Sequence, residues 1–325
     1  SRGLGDVYKR QVEVDMMGNT IHNWDMLERG YTMHHAISQD KQGNILATVS
    51  KTSAKIANGK DVRINDFIIM MDPEKGEILQ EWDLVHMLDS ARYGMTDYDL
   101  TSDPFAQSAS NWAHNNGIVE WGDDYLATAR YQGIFKFNKA GGIEWIISPH
   151  GYWRDKYLKL LLNPLHADGT PITDPEVIAG TKNCDDFEWP WGCHTAVPLP
   201  NGHILYFNNG YGRNFKLDFT DRKNIYTCGI EYEVDEVNRT VRQVWQYGKE
   251  RGAAYFTPAR SGVQYLEQTG NRLICPGMSN VLSNGNRGAR VTEVDPETQD
   301  VVFELELEDA IYQRVYRMSL YPENQ

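Results

Sequence analysis

The 325-residue chain has no run of about eighteen apolar residues, so no transmembrane helix is expected. Positive charge is also scarce. Lys+Arg number 32 against Asp+Glu 45, for a net charge of −13. A field of that sign repels phosphate backbones, and nucleic acid is excluded as an expected partner. The composition, 41% apolar and 24% charged, is that of an ordinary globular chain and not of a disordered or collagen-like one. There is no initiator Met and no signal peptide. Residues 1–11 read as a translated transposon end, an adapter scar outside the fold, and the protein proper is expected over 12–325. What the chain does have is aromatics: Trp 9, Tyr 18 and Phe 10.

It also has an internal repeat. Gly43, Gly122, Gly202 and Gly270 each lie eight positions after His35, His114, His194 and Gly262 respectively. Each stretch reads as strand, tight Gly turn, strand, which is a β-hairpin. A second pattern follows each of them, at 67–84, 133–148, 229–247 and 289–307, with an orphan copy at 12–26. In it, alternating apolar residues run into Asp15, Asp72, Asn138, Asp235 or Asp295. A polar turn then leads to a strand carrying Trp24, Trp82, Trp145, Trp245 or Phe303. Two hairpins make four strands, and four-stranded units repeated along a chain predict an all-β fold, a β-propeller of four-stranded blades. A β-sandwich of many short strands is the alternative. Four complete units and a leading half unit are visible, and Tyr312–Tyr321 reads as one more strand. A closed ring would need sequence upstream of Val12. Two connections, 85–112 and 149–193, are long enough to be functional; the second contains a helix-like stretch at 154–163.

Three of the nine histidines, His35, His114 and His194, occupy one repeat position, which in a propeller lies on one ring around the axis. Two chemistries suit such a set. Neutral imidazoles bind Zn, Mn or Fe, which would make the protein a metal-dependent lyase or hydrolase. The immediate neighbours are amide, hydroxyl and aromatic, with no carboxylate ligand beside the histidines. Alternatively, one imidazole is a nucleophile and another a general acid–base, with Arg130 clamping the oxygens of a moving group. A non-catalytic propeller that binds a partner across its face is the third possibility. His22, His86, His150, His166 and His203 lie off the ring and receive no role.

The His114-Asn115-Asn116 segment with its downstream Arg130, the 193–205 segment CHTAVPLPNGHIL, the 245–252 segment WQYGKERG and the repeat frame resemble bacterial arylsulfate sulfotransferases. The resemblance spans residues 12–325. It implies a six-bladed propeller whose N-terminal part is absent here, periplasmic and paired as a homodimer. The implied reaction moves a sulfuryl group from a phenolic sulfate ester to another phenol, with no cofactor or metal. By motif, His194 would be the nucleophile that becomes sulfohistidine. His114, Asn116 and Arg130 would bind the sulfuryl oxygens, and His35, in register with Gly43 where His34 is not, would bind oxygens or serve the phenol. Thr257 and Tyr316 are candidates for further substrate contacts. The chemistry suits these residue types: a sulfuryl group carries its charge on three oxygens, and its transfer needs positioning and cationic stabilisation.

The family often has a disulfide near the nucleophile, and Cys184 and Cys193, which flank the loop before His194, are its candidates; two free thiols are the alternative. Cys228 and Cys275 read as strand residues of the core. Trp189 and Trp191, in the same loop, could stack on an aryl ring or pack the loop onto its blade. Lys249-Glu250-Arg251 reads as a solvated charge run.

Overall fold

The computed structural model describes residues 10–58, 61–92, 112–216, 220, 222–279, 282–309 and 311. The chain divides into two compact units, Ser1–Leu161 and Leu162–Gln325. It is mostly β, in antiparallel blades of the propeller type, two in each unit.

The first unit opens with the hairpin β1 (Arg10–Val14) and β2 (Thr20–Asp25). Arg10 and Gln11 already pair with Asp25 and Trp24, so pairing starts inside the segment read as a scar. The first blade is β3 (Tyr31–Gln39), β4 (Ile45–Asn58), β5 (Asp61–Met71) and β6 (Ile78–Asp83), paired in that order. The short helix α1 (Leu84–Met87) follows, capped by the Asp83 side chain. The second blade is β7 (Asn115–Trp121), β8 (Asp124–Ala129), β9 (Gly133–Phe137) and β10 (Ile143–Ile147), then α2 (Asp155–Leu158). The helix expected over 154–163 is thus a single turn.

The second unit begins with β11 (Asn163–Leu165) and α3 (Pro175–Ala179). The third blade is β12 (His194–Pro198), β13 (Ile204–Asn208), β14 (Cys228–Asp235) and β15 (Thr240–Tyr247). It is not four-stranded as the repeat predicts. β11 pairs parallel with β15 and makes a 5-stranded sheet, covering an edge that would otherwise be open. Then come α4 (Gly252–Tyr255) and the fourth blade: β16 (Ser261–Tyr265), β17 (Arg272–Pro276), β18 (Gly288–Val294) and β19 (Val301–Glu308). Tyr312–Tyr321, the further strand expected from the sequence, lies outside the described residues.

The acidic or amide residue that punctuates each second hairpin has a physical task. Its side-chain oxygen accepts backbone N–H groups of the turn it opens, an Asx turn. Asp15 takes Met17 and Asn19, Asp72 takes Glu74 and Lys75, and Asn138 takes Ala140 and Gly142. Asp235 takes Val237 and Asn238, and Asp295 takes Glu297 and Thr298. The aromatic of the first full unit packs blade against blade. Trp82 is buried against Tyr125 and Phe137 of the next blade and donates its Nε1–H to the Lys139 carbonyl at 2.9 Å. Leu46 and Ile68 of the first blade and Ile118, Ala127 and Phe135 of the second join the same core. In the second unit, Phe207 and Tyr247 meet Val263, Ile274 and Val294 in the equivalent layer. Phe303, the last aromatic of the series, is instead 50% exposed on β19.

The first hairpins do not share one geometry, despite the constant spacing to glycine. Asp40 closes on Asn44, Leu199 on His203 and Leu266 on Asn271, but Trp121 pairs directly with Asp124. The turns differ in length, and a β-bulge lies near each histidine: the ladder skips between Met33 and Ile37, between Asn115 and Gly117, and between His194 and Ala196.

Candidate active site

In the first unit the bulge of β3 turns two histidines to one side. His35 sits at φ 54°, a left-handed conformation that costs a non-glycine residue about 1–3 kcal/mol. Thr48, opposite the bulge, holds it in place: its hydroxyl donates to the His34 carbonyl and accepts the Ala36 N–H at 3.0 Å. His114, just before β7, has the same φ of 54°. Its carbonyl accepts the Arg130 backbone N–H at 3.0 Å, which fixes Arg130, itself 3% exposed, at the end of β8. Asn116 is buried in the β7 bulge and accepts from the Thr128 hydroxyl at 2.7 Å.

Two of the three ring histidines, His35 and His114, meet between the first two blades. His35 Nε2 and His114 Nε2 are 3.1 Å apart. On its other side His35 Nδ1 lies 3.0 Å from His34 Nδ1, and His34 Nε2 approaches Asp66 Oδ1 at 3.5 Å. Asp66 is buried and further held by Ser50 Oγ at 2.9 Å and the Asn115 backbone N–H at 3.1 Å. The result is a row: carboxylate, imidazole, imidazole, imidazole. A nitrogen–nitrogen hydrogen bond needs one donor and one acceptor. With three neutral rings and the proton of His34 on the nitrogen facing Asp66, His35 donates from Nδ1 and His114 donates from Nε2. The basic nitrogen at the end of the row is then Nδ1 of His114.

His194 opens β12 in the second unit and is 6% exposed. The residue with positive φ here is its neighbour, Thr195 at 47°. His194 Nδ1 contacts Asn209 Oδ1 at 2.6 Å and the Gly192 carbonyl at 3.3 Å. The orientation of the Asn209 amide is decided by its other end, where Nδ2 faces the Thr257 carbonyl at 2.8 Å, a group that can only accept. Oδ1 therefore faces His194, whose Nδ1 must carry the proton, and the unprotonated ring nitrogen is Nε2. Ser261 Oγ donates to Asn209 Oδ1 at 3.2 Å, and Thr227 Oγ1 donates to its carbonyl at 2.9 Å. Gly210, at φ 69°, comes so close to the Tyr226 carbonyl that a Cβ would lie 2.1 Å from that oxygen, so the chain after Asn209 has room only for glycine.

Thr257 is fully buried. Its hydroxyl donates to the Ala259 carbonyl at 2.7 Å and accepts the Met278 N–H at 3.1 Å, so this residue braces Asn209 within the scaffold. Tyr316 lies outside the described residues. Trp189 and Trp191 are both buried in packing. The first donates to the Val177 carbonyl at 2.8 Å, and the second meets Phe215 edge-on at 5.2 Å. The charge run at 249–251 is not simply solvated: Arg251 pairs with Glu304 at 2.9 Å and Lys249 Nζ lies 5.4 Å from the Tyr226 ring centre.

The disulfide expected between Cys184 and Cys193 is absent; both are free cysteines. Cys193 is buried beside His194, whereas Cys184 is turned away to donate its thiol proton to Asp186 Oδ1 at 3.1 Å. Burial pushes the Cys228 and Cys275 thiols up to about 12, which keeps them protonated and inert.

His34, Asp66 and Asn209 are the residues that sequence spacing missed. For Asn209 a signal existed: it is the first residue after β13, as Arg130 is the first after β8. Asp66, a lone acid entering an apolar strand run, was a weaker one.

No helix among the described residues is long and apolar enough to cross a membrane. Among solved structures, a europium-containing methanol dehydrogenase aligns at TM-score 0.40 and 10% identity over 93% of this chain and 66% of that one. BamB from Moraxella catarrhalis aligns at 0.35 and 6% identity, over 94% and 70%. Likenesses this loose bear on nothing beyond themselves. Sequence relatives are more informative. The chain is 29% identical over 339 residues to arylsulfate sulfotransferase AssT of Escherichia coli O6:H1, and 30% identical over 340 residues to AssT of Lelliottia amnigena. Both alignments cover 95% of this chain and 56% of the relative, so the chain spans about half the length of the curated relatives it matches. The arylsulfotransferase (ASST) family profile matches residues 3–317, and the chain belongs to that family.

Proposed function

We propose that the protein is an aryl sulfate:phenol sulfotransferase working through His194. The observation that carries this reading is the 2.6 Å contact from Asn209 to His194 Nδ1, which leaves Nε2 as the nucleophilic atom of a buried imidazole. In the first half-reaction the Nε2 lone pair attacks sulfur, the bond from sulfur to the aryl oxygen breaks, and the phenol leaves with a proton. In the second, an acceptor phenol gives up its proton, its oxygen attacks the sulfohistidine, and the nitrogen–sulfur bond breaks. No nucleotide, metal or redox partner is needed for the balance, and the kinetics are ping-pong.

A phenol has an ordinary pKa near ~10, so each half-reaction needs a group that lends or accepts a proton at oxygen. We assign this to the row ending at His114. In the donor half-reaction the row starts protonated and His114 Nδ1–H gives its proton to the leaving oxygen; in the acceptor half-reaction a proton arriving at His114 Nδ1 passes its charge along His35 and His34 toward Asp66, whose carboxylate stabilises the cationic row. Arg130 and Asn116 are assigned to the sulfuryl oxygens, where a planar guanidinium matches three charged acceptors, and His114 joins them as a donor once its Nδ1 carries a proton. The same family resemblance suggests a periplasmic homodimer; light scattering on the purified chain tests the pairing.

The metal-dependent alternative has less support. Of the three histidines that reading needs, His35, His114 and His194, the facing nitrogens of His35 and His114 are 3.1 Å apart and committed to each other, and His194 Nδ1 is held by Asn209 at 2.6 Å. The test is release of a chromogenic phenol from its sulfate ester in the presence of an acceptor phenol. Turnover that is lost in His194→Ala and retained after chelator treatment supports the proposal. Turnover that survives in His194→Ala sinks it.

A further inference from the structure

We infer that His166, Cys184 and Asp186 form a binding site for a borderline-soft divalent cation of the zinc class, separate from the residues assigned to sulfuryl transfer. The three side chains come from two stretches of the connection that precedes β12. His166 follows β11, and Cys184 and Asp186 follow α3. Their ligand atoms all lie within 4.8 Å of one another, and all three residues are half-buried, within reach of a cation from solvent. Among the described residues, this trio is the group of His, Cys, Asp and Glu side chains so arranged.

The geometry is close to what tetrahedral zinc requires. Bond lengths of roughly 2.3 Å to sulfur and roughly 2.0–2.1 Å to nitrogen and oxygen place neighbouring ligand atoms about 3.3–3.6 Å apart. Here Asp186 Oδ1 lies 3.0 Å from His166 Nδ1 and 3.1 Å from Cys184 Sγ. These two pairs need to open by only about 0.3–0.5 Å to admit the ion, and the remaining pair, His166 and Cys184, lies within 4.8 Å. The carboxylate is also oriented in the way metal ligands usually are. Its other oxygen, Oδ2, accepts the Ala167 backbone N–H at 2.9 Å and lies 3.2 Å from His166 Nδ1. The backbone at Ala167 is itself held, since its carbonyl accepts from Arg242 Nη1 at 3.0 Å. Such support behind the ligand fixes which oxygen faces the ion.

The donor set, one thiolate, one imidazole and one carboxylate, selects zinc over calcium or magnesium, which prefer oxygen ligands alone. On binding, the thiol and any imidazolium proton are released to solvent, and the two negative ligands neutralise the dication. Three protein ligands leave a fourth position for water. The consequence for the fold is a cross-link: the ion ties the turn after β11 to the loop that carries Trp189, Trp191 and Cys193 into His194. It also explains why Cys184 faces Asp186 and not Cys193.

The test uses the full chain, reduced and stripped with a chelator, then titrated with Zn²⁺ and separately with Co²⁺. One equivalent of zinc retained after gel filtration is expected, with a thiolate-to-cobalt charge-transfer band that disappears in Cys184→Ala and falls in Asp186→Asn. Should either variant fail to fold, the wild type still gives a readout. Zinc is expected to protect Cys184, identified by peptide mapping, from alkylation at least tenfold. Zinc retention no greater than in Cys184→Ala, a cobalt spectrum without a thiolate band, or Cys184 alkylation unaffected by zinc would each overturn the site and leave the trio as a hydrogen-bonded staple.

Discussion

Replacing Asn209 with alanine separates the tautomer argument from mere packing. The amide holds His194 Nδ1 at 2.6 Å and the Thr257 carbonyl at 2.8 Å, and all three residues are buried. Asn209→Ala removes the 2.6 Å partner of His194 Nδ1 and the 2.8 Å donor to the Thr257 carbonyl and leaves the longer contacts to the Gly192 carbonyl at 3.3 Å and from the Thr227 hydroxyl at 3.4 Å, so the variant should be about 1–3 kcal/mol less stable. The catalytic cost is distinct. The bond that keeps the proton on Nδ1 strengthens as His194 becomes cationic in the sulfohistidine, and losing about 1.4–2.8 kcal/mol of that stabilisation slows turnover ~10–100-fold. Asn209→Asp is the control. It keeps an acceptor for His194 but sets a carboxylate oxygen against the Thr257 carbonyl, so it should lose as much stability while keeping more of the rate. Urea unfolding gives the first quantity, and chromogenic turnover at a temperature where each variant is folded gives the second. A folded Asn209→Ala enzyme with wild-type turnover would refute the claim that Asn209 sets the reactive nitrogen.

Three further outcomes follow, two from the proposed roles and one from a buried ion pair. Asp66→Asn removes the charge at the end of the imidazole row. Turnover with poorly acidic phenols should fall about tenfold while nitrophenol donors, which leave without help, are nearly unaffected; equal losses for both would contradict a proton-relay role. Arg130→Lys keeps the charge but not the planar fork, and kcat is expected to drop on the order of 10²-fold with little change in the melting temperature, read by steady-state kinetics beside calorimetry. Glu231, whose carboxylate is buried between Arg272 at 2.6 Å and His203 at 2.7 Å, is a stability determinant. Desolvation pushes its pKa up, but hydrogen bonds from Arg272 and His203 outweigh that and hold it below the usual 4.5. A depressed carboxylate stabilises the fold above its unfolded pKa, so that contribution disappears as pH falls below that value. Glu231→Gln should cost about 3–5 kcal/mol at neutral pH by urea unfolding, because Arg272 is left buried and unmatched. It should also flatten the acid limb of the stability profile, and an unchanged limb would count against the assignment.

Much of the fold was legible because its signals are local. The Asx residues of the second hairpins mark turns through contacts a few residues long, and every one of the five turns forms as the pattern implies; of the aromatics, Trp82 packs one blade on the next while Phe303 is exposed. β11 was not legible: it has three residues, one of them Pro164, and its partner β15 lies far along the chain. At the site, spacing to glycine found His35, His114 and His194, yet it ranked His34 out of register. That count assumes equal turns, whereas the turns differ and the bulge at 33–37 brings both His34 and His35 to the row. Asp66 and Asn209 act through partners fifteen or more residues away, His194 for Asn209 and His34 for Asp66, and no spacing rule encodes such a meeting. Likewise the separation of Cys184 and Cys193 permits a disulfide, but the direction of the Cys184 side chain decides against it.

The central claim is that His194 carries the sulfuryl group. Rapid mixing of the chain with an aryl sulfate in the absence of acceptor, a quench that spares N–S bonds, and peptide mass spectrometry test it directly. The account predicts one sulfuryl adduct, on the peptide containing His194, that is discharged by added phenol and never forms in His194→Ala. An adduct on any other residue, or phenol release with no covalent species at any time, would contradict it.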